Sequence, residues 1–197
     1  LGEVLLDLDK PAEALEALRT AHELDPDLTR INLRMGQALF GLAKYSDAAR
    51  HLATAHREEP QNESALLALG GCLLRLESID EAAQEFRRVL DLDDTCSQGH
   101  HNLAVCLFLL GRYEDGLTHV MKAIELNPHD LAAMHKAVLV LMHIRRWSDA
   151  RSMIERAITV DPNDSALQEL RNRMWKLRLW AGVKRIQIWT KRLLRRG

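Results

Sequence analysis

Proline recurs along this chain at a fixed interval. Pro26, Pro60, Pro128 and Pro162 are separated by 34 residues or by twice that number, and Asp94 stands where the series leaves its gap. Repeats of this length are too short to bury a core of their own and become stable by stacking on their neighbours. The chain is therefore predicted to be a stack of similar units.

Small and large apolar residues recur in register with the prolines. Spacings of three and four residues place them on one helix face, and small residues are expected where two helices approach closely. A proline after each second helix ends that helix without breaking it. The aligned positions are Ala14, Ala48, Ala82, Gly116 and Ala150, then Leu18, Leu52, Phe86, Val120 and Ile154, then Ala21, Ala55, Val89, Ala123 and Ala157. Helices are predicted at 1–8, 11–24, 29–42, 45–58, 63–76, 79–92, 97–110, 113–126, 131–144 and 147–160.

This pattern, with Met35 and Gly36 early in the second unit, resembles the Leu-Gly…Ala…Phe…Ala…Pro signature of the tetratricopeptide-repeat (TPR) family. The departures from the signature are Asp94, Gly116, Ala137 and Val138. The resemblance implies an all-α fold, a right-handed superhelical solenoid of antiparallel helix pairs with a C-terminal capping helix. It divides residues 1–164 into five units at 1–28 (partial), 29–62, 63–96, 97–130 and 131–164, followed by a capping helix and basic amphipathic tail at 165–197.

The resemblance also implies where a partner binds. In the family, the first helix of each pair lines a concave groove. The positions that it assigns to the groove are Arg30, Leu33, Arg34, Gln37 and Phe40; Ser64, Leu67, Gly71, Leu74 and Arg75; Gln98, His101, Asn102, Val105, Phe108 and Leu109; and Ala132, His135, Lys136, Leu139, Met142 and His143. We expect this largely apolar lining to bind a protein or peptide with apolar anchors.

Some TPR domains hold a C-terminal carboxylate between a lysine and asparagines of successive units. Here Leu33, Gln37, Leu67 and Gly71 occupy such places, and only Asn102 and Lys136 fit part of the scheme. We therefore do not expect a carboxylate clamp of that type in this chain.

The residues give little support for catalysis. His101 and His135 share a repeat position but lack the further ligands of a metal site, and no phosphate-binding or nucleophile motif is present. Cys72 and Cys106 are expected to be buried, and His51 and His119 to be solvated or lightly packed on second helices. We predict a non-catalytic scaffold or adaptor without a cofactor. The alternative is a regulatory TPR segment of a larger enzyme, such as a glycosyltransferase, since the chain begins within a repeat and is expected to extend upstream.

Charge is distributed unevenly along the chain. Residues 171–197 contain ten Lys or Arg and no Asp or Glu, whereas residues 1–170 contain 17 basic and 28 acidic residues. The predicted tail contacts are Trp175, Leu179, Val183, Lys184, Arg185, Ile186, Trp189, Arg192 and Leu193. This amphipathic stripe fits a protein partner, a second copy of the chain, an anionic membrane surface or the chain's own solenoid. Nucleic acid is disfavoured because the acidic body would repel it.

The cysteines indicate the compartment. Three cysteines, with no CxxC pair, do not form the even-numbered framework of a secreted disulfide scaffold. We therefore expect a cytoplasmic location, with peripheral membrane contact through the tail left open.

Overall fold

A computed structural model describes residues 1–25, 28 and 30–174. Pro26 of the repeat series lies outside the described residues, and so do all of the predicted tail contacts: Trp175, Leu179, Val183, Lys184, Arg185, Ile186, Trp189, Arg192 and Leu193. The remaining groove positions and the predicted helices fall within them.

The described residues form helices joined by short turns, with no strand among them. The helices are α1 (Gly2–Asp7), α2 (Pro11–Leu24), α3 (Ile31–Gly41), α4 (Tyr45–Glu58), α5 (Glu63–Arg75), α6 (Ile79–Leu92), α7 (Ser97–Leu109), α8 (Tyr113–Leu126), α9 (Leu131–His143), α10 (Trp147–Val160) and α11 (165–174). Each of the ten predicted helices is present, and each begins and ends within two residues of its predicted bounds. The all-α class is thereby confirmed.

The chain divides into two compact units, Leu1–Asn127 and Pro128–Gly197. In the first unit, each odd-numbered helix packs against the even-numbered helix that follows it, from α1 with α2 to α7 with α8. The first helices α1, α3, α5 and α7 also contact one another in sequence. In the second unit, α9 packs against α10.

The turn within each helix pair has the same backbone form. A residue shortly after the first helix has a positive φ in every pair, at Asp9, Ala43, Glu77, Gly111 and Arg145. In the second pair, the Lys44 N–H donates to the Leu39 carbonyl at 2.9 Å, and the other pairs repeat this bond. Such a bond pattern satisfies carbonyls at a helix end, but only glycine adopts the positive φ without strain. Packing of the pair therefore imposes the turn on four of the five pairs.

Complementary side-chain sizes bring the two helices of a pair together. A Cβ added at Gly36 would lie 2.5 Å from Leu52 Cγ, and one added at Gly70 would lie 2.7 Å from Phe86 Cε1. Leu52 and Phe86 are both 0% exposed. The glycines of the repeat are thus required by close approach of the neighbouring large side chain.

Gly116 departs from the alanine of the repeat for the same reason. A Cβ at this position would lie 2.4 Å from Phe108 Cε1. The Phe108 ring therefore packs directly against the backbone of α8, in space that an alanine would occupy. In the fourth pair, a smaller residue on the second helix thus makes room for a large ring from the first helix.

The second unit has its own core, to which residues of the predicted capping helix contribute. Val138 and Ile154 are 0% exposed, so the departure at Val138 is accommodated inside the α9–α10 pair. Leu167 and Met174 of α11 are 0% and 3% exposed. Within the part of the chain that the structure describes, no helix is long and apolar enough to cross a membrane.

Candidate partner-binding surface

A pocket of about 590 Å³ opens in the first unit, between the N-terminal part of α3 and the turn that leads into α5. Five of the predicted groove residues line it: Arg30, Leu33, Arg34 and Gln37, and Ser64 from α5. The other lining residues are Glu59, Pro60, Gln61, Asn62 and Glu63. We call this the polar pocket.

Ion pairs hold the two arginines of the polar pocket. Arg34 Nε donates to Glu3 Oε1 at 2.7 Å, and its Nη1 donates to Gln37 Oε1 at 3.1 Å. Arg30 Nε donates to Glu59 Oε1 at 3.4 Å. Arg34 reaches the polar pocket from the first turn of α3, and Arg30 reaches it from the position just before the helix, where its φ is 63°.

Asn62 organises the far wall of the polar pocket. Its side-chain oxygen accepts from Ala65 N at 3.1 Å and caps α5, while its Nδ2 donates to Glu59 Oε2 at 2.7 Å. This bond, followed by the charge and hydrogen bond of Arg30, lowers the pKa of Glu59, although partial desolvation opposes the shift. The Glu59 carboxylate is therefore tied to two neighbours.

An aromatic cluster lies at the other end of α3. The rings of Phe40 and Tyr45 meet edge to face at 5.4 Å, and Arg75 Cζ lies 5.1 Å from the centre of the Tyr45 ring. Phe40 is 38% exposed. Its ring also faces Gly71 of α5, where an added Cβ would lie 3.6 Å from Phe40 Cε2. Phe40 and Arg75, both predicted groove residues, are thus brought together with Tyr45, which the sequence did not single out.

The other predicted groove residues differ in accessibility. Leu139 is 50% exposed, whereas Leu33 and Met142 are only 5% and 9% exposed and belong mostly to the core. Because α3 contacts the first helices on both sides, Leu33 faces inward. The half-buried members are Gln37, Leu67, Leu74, His101, Asn102, Val105, Phe108, His135 and Lys136. In the second unit, His135 Nε2 lies 3.0 Å from Asp164 Oδ2, close enough for an ion pair when the histidine is protonated.

Histidines form contacts that sequence reasoning missed. His100 Nε2 lies 3.0 Å from the Asp94 carbonyl, which can only accept, so that nitrogen donates. His100 Nδ1 lies 2.9 Å from His119 Nδ1, so one of these two ring nitrogens donates to the other. Burial, and then the neighbouring His100 and Arg87, lower the pKa of His119. His119 therefore resists protonation more than a free imidazole does, and its ring is half-buried on the second helix of its pair.

The second pair has a related contact at the same repeat positions. His51 Nδ1 lies 3.0 Å from Asn32 Oδ1. Burial, and then the charge of Arg50, lower the pKa of His51. Asn32 and His100 occupy equivalent places in the two repeats, as do His51 and His119, and this recurrence of polar residues is the signal that could have predicted the contacts.

The cysteines lie where the repeat predicts. Cys72 and Cys106 are 0% exposed, and burial raises the pKa of each thiol to about 11. At neutral pH both stay protonated, the form that is a poor nucleophile. Among the described residues, no group of three or more His, Cys, Asp or Glu side chains is placed to hold a metal ion. His101 and His135 belong to different compact units.

Comparison with known proteins supports the repeat. Two family models, each described as tetratricopeptide repeat, match residues 33–95 and 107–174 and so include well over half of the chain. A search of the curated proteins gave no match.

Solved structures share the fold at low identity. YrrB, described as a TPR protein with an unusual peptide-binding site, matches with a TM-score of 0.73 and 20% identity, over 87% of this chain and 88% of YrrB. PilF of Pseudomonas aeruginosa matches with a TM-score of 0.78 and 19% identity, over 90% of this chain and 81% of PilF. MamA of Desulfovibrio magneticus RS-1 matches with a TM-score of 0.75 and 17% identity, over 83% and 93% of the two chains. With its 34-residue period, its helix pairs and these matches, the chain belongs to the tetratricopeptide-repeat family.

Proposed function

We propose that the chain is a non-catalytic scaffold that binds a segment of a partner protein on the surface of its first helices. The observation that carries the proposal is the polar pocket of about 590 Å³, which adjoins the exposed Phe40 along α3. Repeats of this family generally serve as protein-interaction modules, and YrrB, a distant structural relative, is described as having a peptide-binding site.

The chemistry of this surface suits a peptide. Peptide main chain needs hydrogen-bond donors and acceptors, which Gln37, Asn62 and Ser64 supply at the polar pocket. Aromatic and arginine side chains dominate the energetics of many protein interfaces, and Phe40 and Arg75 provide both. In the second unit, Leu139 offers an exposed apolar contact beside the half-buried Lys136 and His135.

The proposal includes two further elements. Residues 175–197 contain eight Lys or Arg and no Asp or Glu, and this charge supports a second contact with a protein partner through the tail. Free thiols at Cys72, Cys96 and Cys106 support function in a reducing compartment such as the cytoplasm.

Site-specific photo-crosslinking in cells tests the proposal. A photoreactive amino acid replaces Gln37, at the polar pocket, in the full chain. A matched chain carries the same group at Arg50, an exposed residue on the second helix of the same pair. We expect one or more proteins to crosslink from position 37 and not from position 50. Equal crosslinking from both positions, or none above background from position 37, would show that the first-helix surface is not the binding surface.

A further inference from the structure

The surface of α3 carries a charged side chain near one end and an aromatic side chain near the other. Arg34 lies in the polar pocket, and Phe40 lies in the aromatic cluster six residues further along. At 1.5 Å per helical residue, these two positions are separated by about 9 Å along the helix axis. On α5, which contacts α3, Gly71 lies next to the Phe40 ring.

We propose that the partner segment carries one acidic side chain that replaces Glu3 on Arg34, and one apolar side chain that packs on Phe40. This inference rests on the proposed function and specifies the ligand of the same surface. In a polyproline II segment, which has three residues per turn and a rise of about 3.1 Å per residue, two side chains three positions apart lie on the same face at about this separation.

The carboxylate of Glu3 shows what Arg34 can hold. Its Oε1 accepts from Arg34 Nε at 2.7 Å, while Gln37 fixes another nitrogen of the same guanidinium. The Glu3 side chain is 60% exposed and comes from α1, a helix of six residues. Exposed ion pairs of this kind contribute little stability, so a ligand carboxylate can displace Glu3 at low cost.

Arg30 is a poorer anchor for a ligand than Arg34. Its partner Glu59 is held from a second side by Asn62 at 2.7 Å, so displacing this carboxylate breaks two contacts. Glu63 also lines the polar pocket and would repel a second negative charge. The site therefore fits a single acidic side chain and disfavours an acidic run.

Phe40 determines which apolar side chain the proposed partner segment can carry. Its ring is held edge to face by Tyr45 and lies over Gly71, so its exposed part is fixed and does not need ordering when a ligand binds. A rigid aromatic face of this kind favours an aliphatic or aromatic ligand side chain over a charged one.

Selection from a displayed library of random 12-residue peptides on the full chain tests the inference. We expect selected peptides to be enriched in an Asp or Glu about three positions from a Leu, Ile, Met or Phe. The affinity of one selected peptide is then measured for the parent chain, for Arg34→Gln and for Glu3→Gln. Arg50→Gln is the control, since Arg50 pairs with Asp47 on α4.

We expect Arg34→Gln to weaken binding by about tenfold or more, because a charged hydrogen bond is lost. Glu3→Gln should tighten binding by about two- to fivefold, because the internal competitor is neutralised. Arg50→Gln should change binding by less than about twofold. Circular dichroism confirms that each variant is folded.

Four results would overturn the inference, and together they distinguish its failure from failure of the proposed function. Selected peptides without an acidic bias, or acidic peptides whose affinity is unchanged in both Arg34→Gln and Glu3→Gln, would contradict the acidic anchor and leave the scaffold function standing. Weaker binding in Glu3→Gln would show that Glu3 supports the ligand instead of competing with it. Selection of no peptide above an unrelated bait would contradict the inference and the proposed function together.

Discussion

Phe40 and Phe108 occupy the same place in two repeats, yet their rings contact different neighbours. Phe40 meets Tyr45 and lies over Gly71 of the next first helix. Phe108 packs against Gly116 of its own second helix. In the second pair the place of Gly116 is taken by Ala48, which is fully buried. One methyl group on the second helix thus distinguishes an aromatic ring that is partly exposed at the proposed partner surface from one that packs inside the pair.

Among the tests of this comparison, replacing each of the two rings by alanine should change the free energy of unfolding most. Phe108→Ala removes a ring from between α7 and α8 and should lower the free energy of unfolding by about 2–3 kcal/mol. Phe40→Ala removes a ring that is 38% exposed and should cost about 1 kcal/mol of stability, while strongly weakening partner binding. Urea unfolding measures the first quantity. Equal losses of stability would contradict the assigned roles.

Adding a methyl group to the second helix of the fourth pair should have the next largest effect. Gly116→Ala places a Cβ about where the Phe108 ring lies and should destabilise the chain by about 1–2 kcal/mol, despite the better helix propensity of alanine. Gly71→Ala is the matched control, because its Cβ would make an ordinary contact of 3.6 Å with Phe40. The control should be neutral or stabilising by up to about 1 kcal/mol. Urea unfolding of both variants checks the difference in sign.

Substitutions in the turns of the same two pairs should change the stability of the fold less. Gly111 has a φ of 75°, and a Cβ added there would meet open space, so Gly111→Ala adds backbone strain alone and should cost about 1 kcal/mol. Ala43 has a φ of 57° at the corresponding place, so Ala43→Gly should stabilise the chain by about 0.5 kcal/mol. Thermal unfolding compares the two variants. A destabilising Ala43→Gly would show that strain at this turn is negligible.

The smallest expected effect comes from the histidines of the two pairs, which make the stability of the fold depend on pH. The pKa of His119 and that of His51 both lie below the ordinary value of 6.5 in the folded chain. A base that resists protonation when folded stabilises the fold fully above pH 6.5, and this contribution is lost as pH falls through the folded pKa. Stability should therefore decrease between about pH 7.5 and 5.5, and less so in His119→Gln than in the exposed control His22→Gln. Identical slopes would contradict this assignment.

The helices could be predicted from the sequence, whereas the contacts between side chains could not. The 34-residue period and the spacing of small residues determine which stripe of each helix meets its pair partner, and this predicted the helix bounds closely. A first helix such as α3, however, also contacts the first helices on both sides. Periodicity does not distinguish these faces, so it could not predict that Leu33, which lines the polar pocket, is only 5% exposed.

Contacts between distant polar residues were also inaccessible to sequence reasoning. Arg34 and Glu3 are 31 residues apart, and neither belongs to the repeat signature, so their ion pair depends on how α1 and α3 align. The departure at Gly116 was visible in the sequence, but its cause was not. It became clear only when the direction of the Phe108 ring was known.

Amide chemical shifts of the isotope-labelled full chain, recorded during titration with a library-selected peptide, test the central claim most directly. The account predicts that the largest shift changes occur on α3 and α5, at Arg34, Gln37, Phe40 and Gly71, and that α4 residues such as Arg50 change little. Largest changes on α4 and α6, with α3 and α5 unaffected, would contradict partner binding on the first helices.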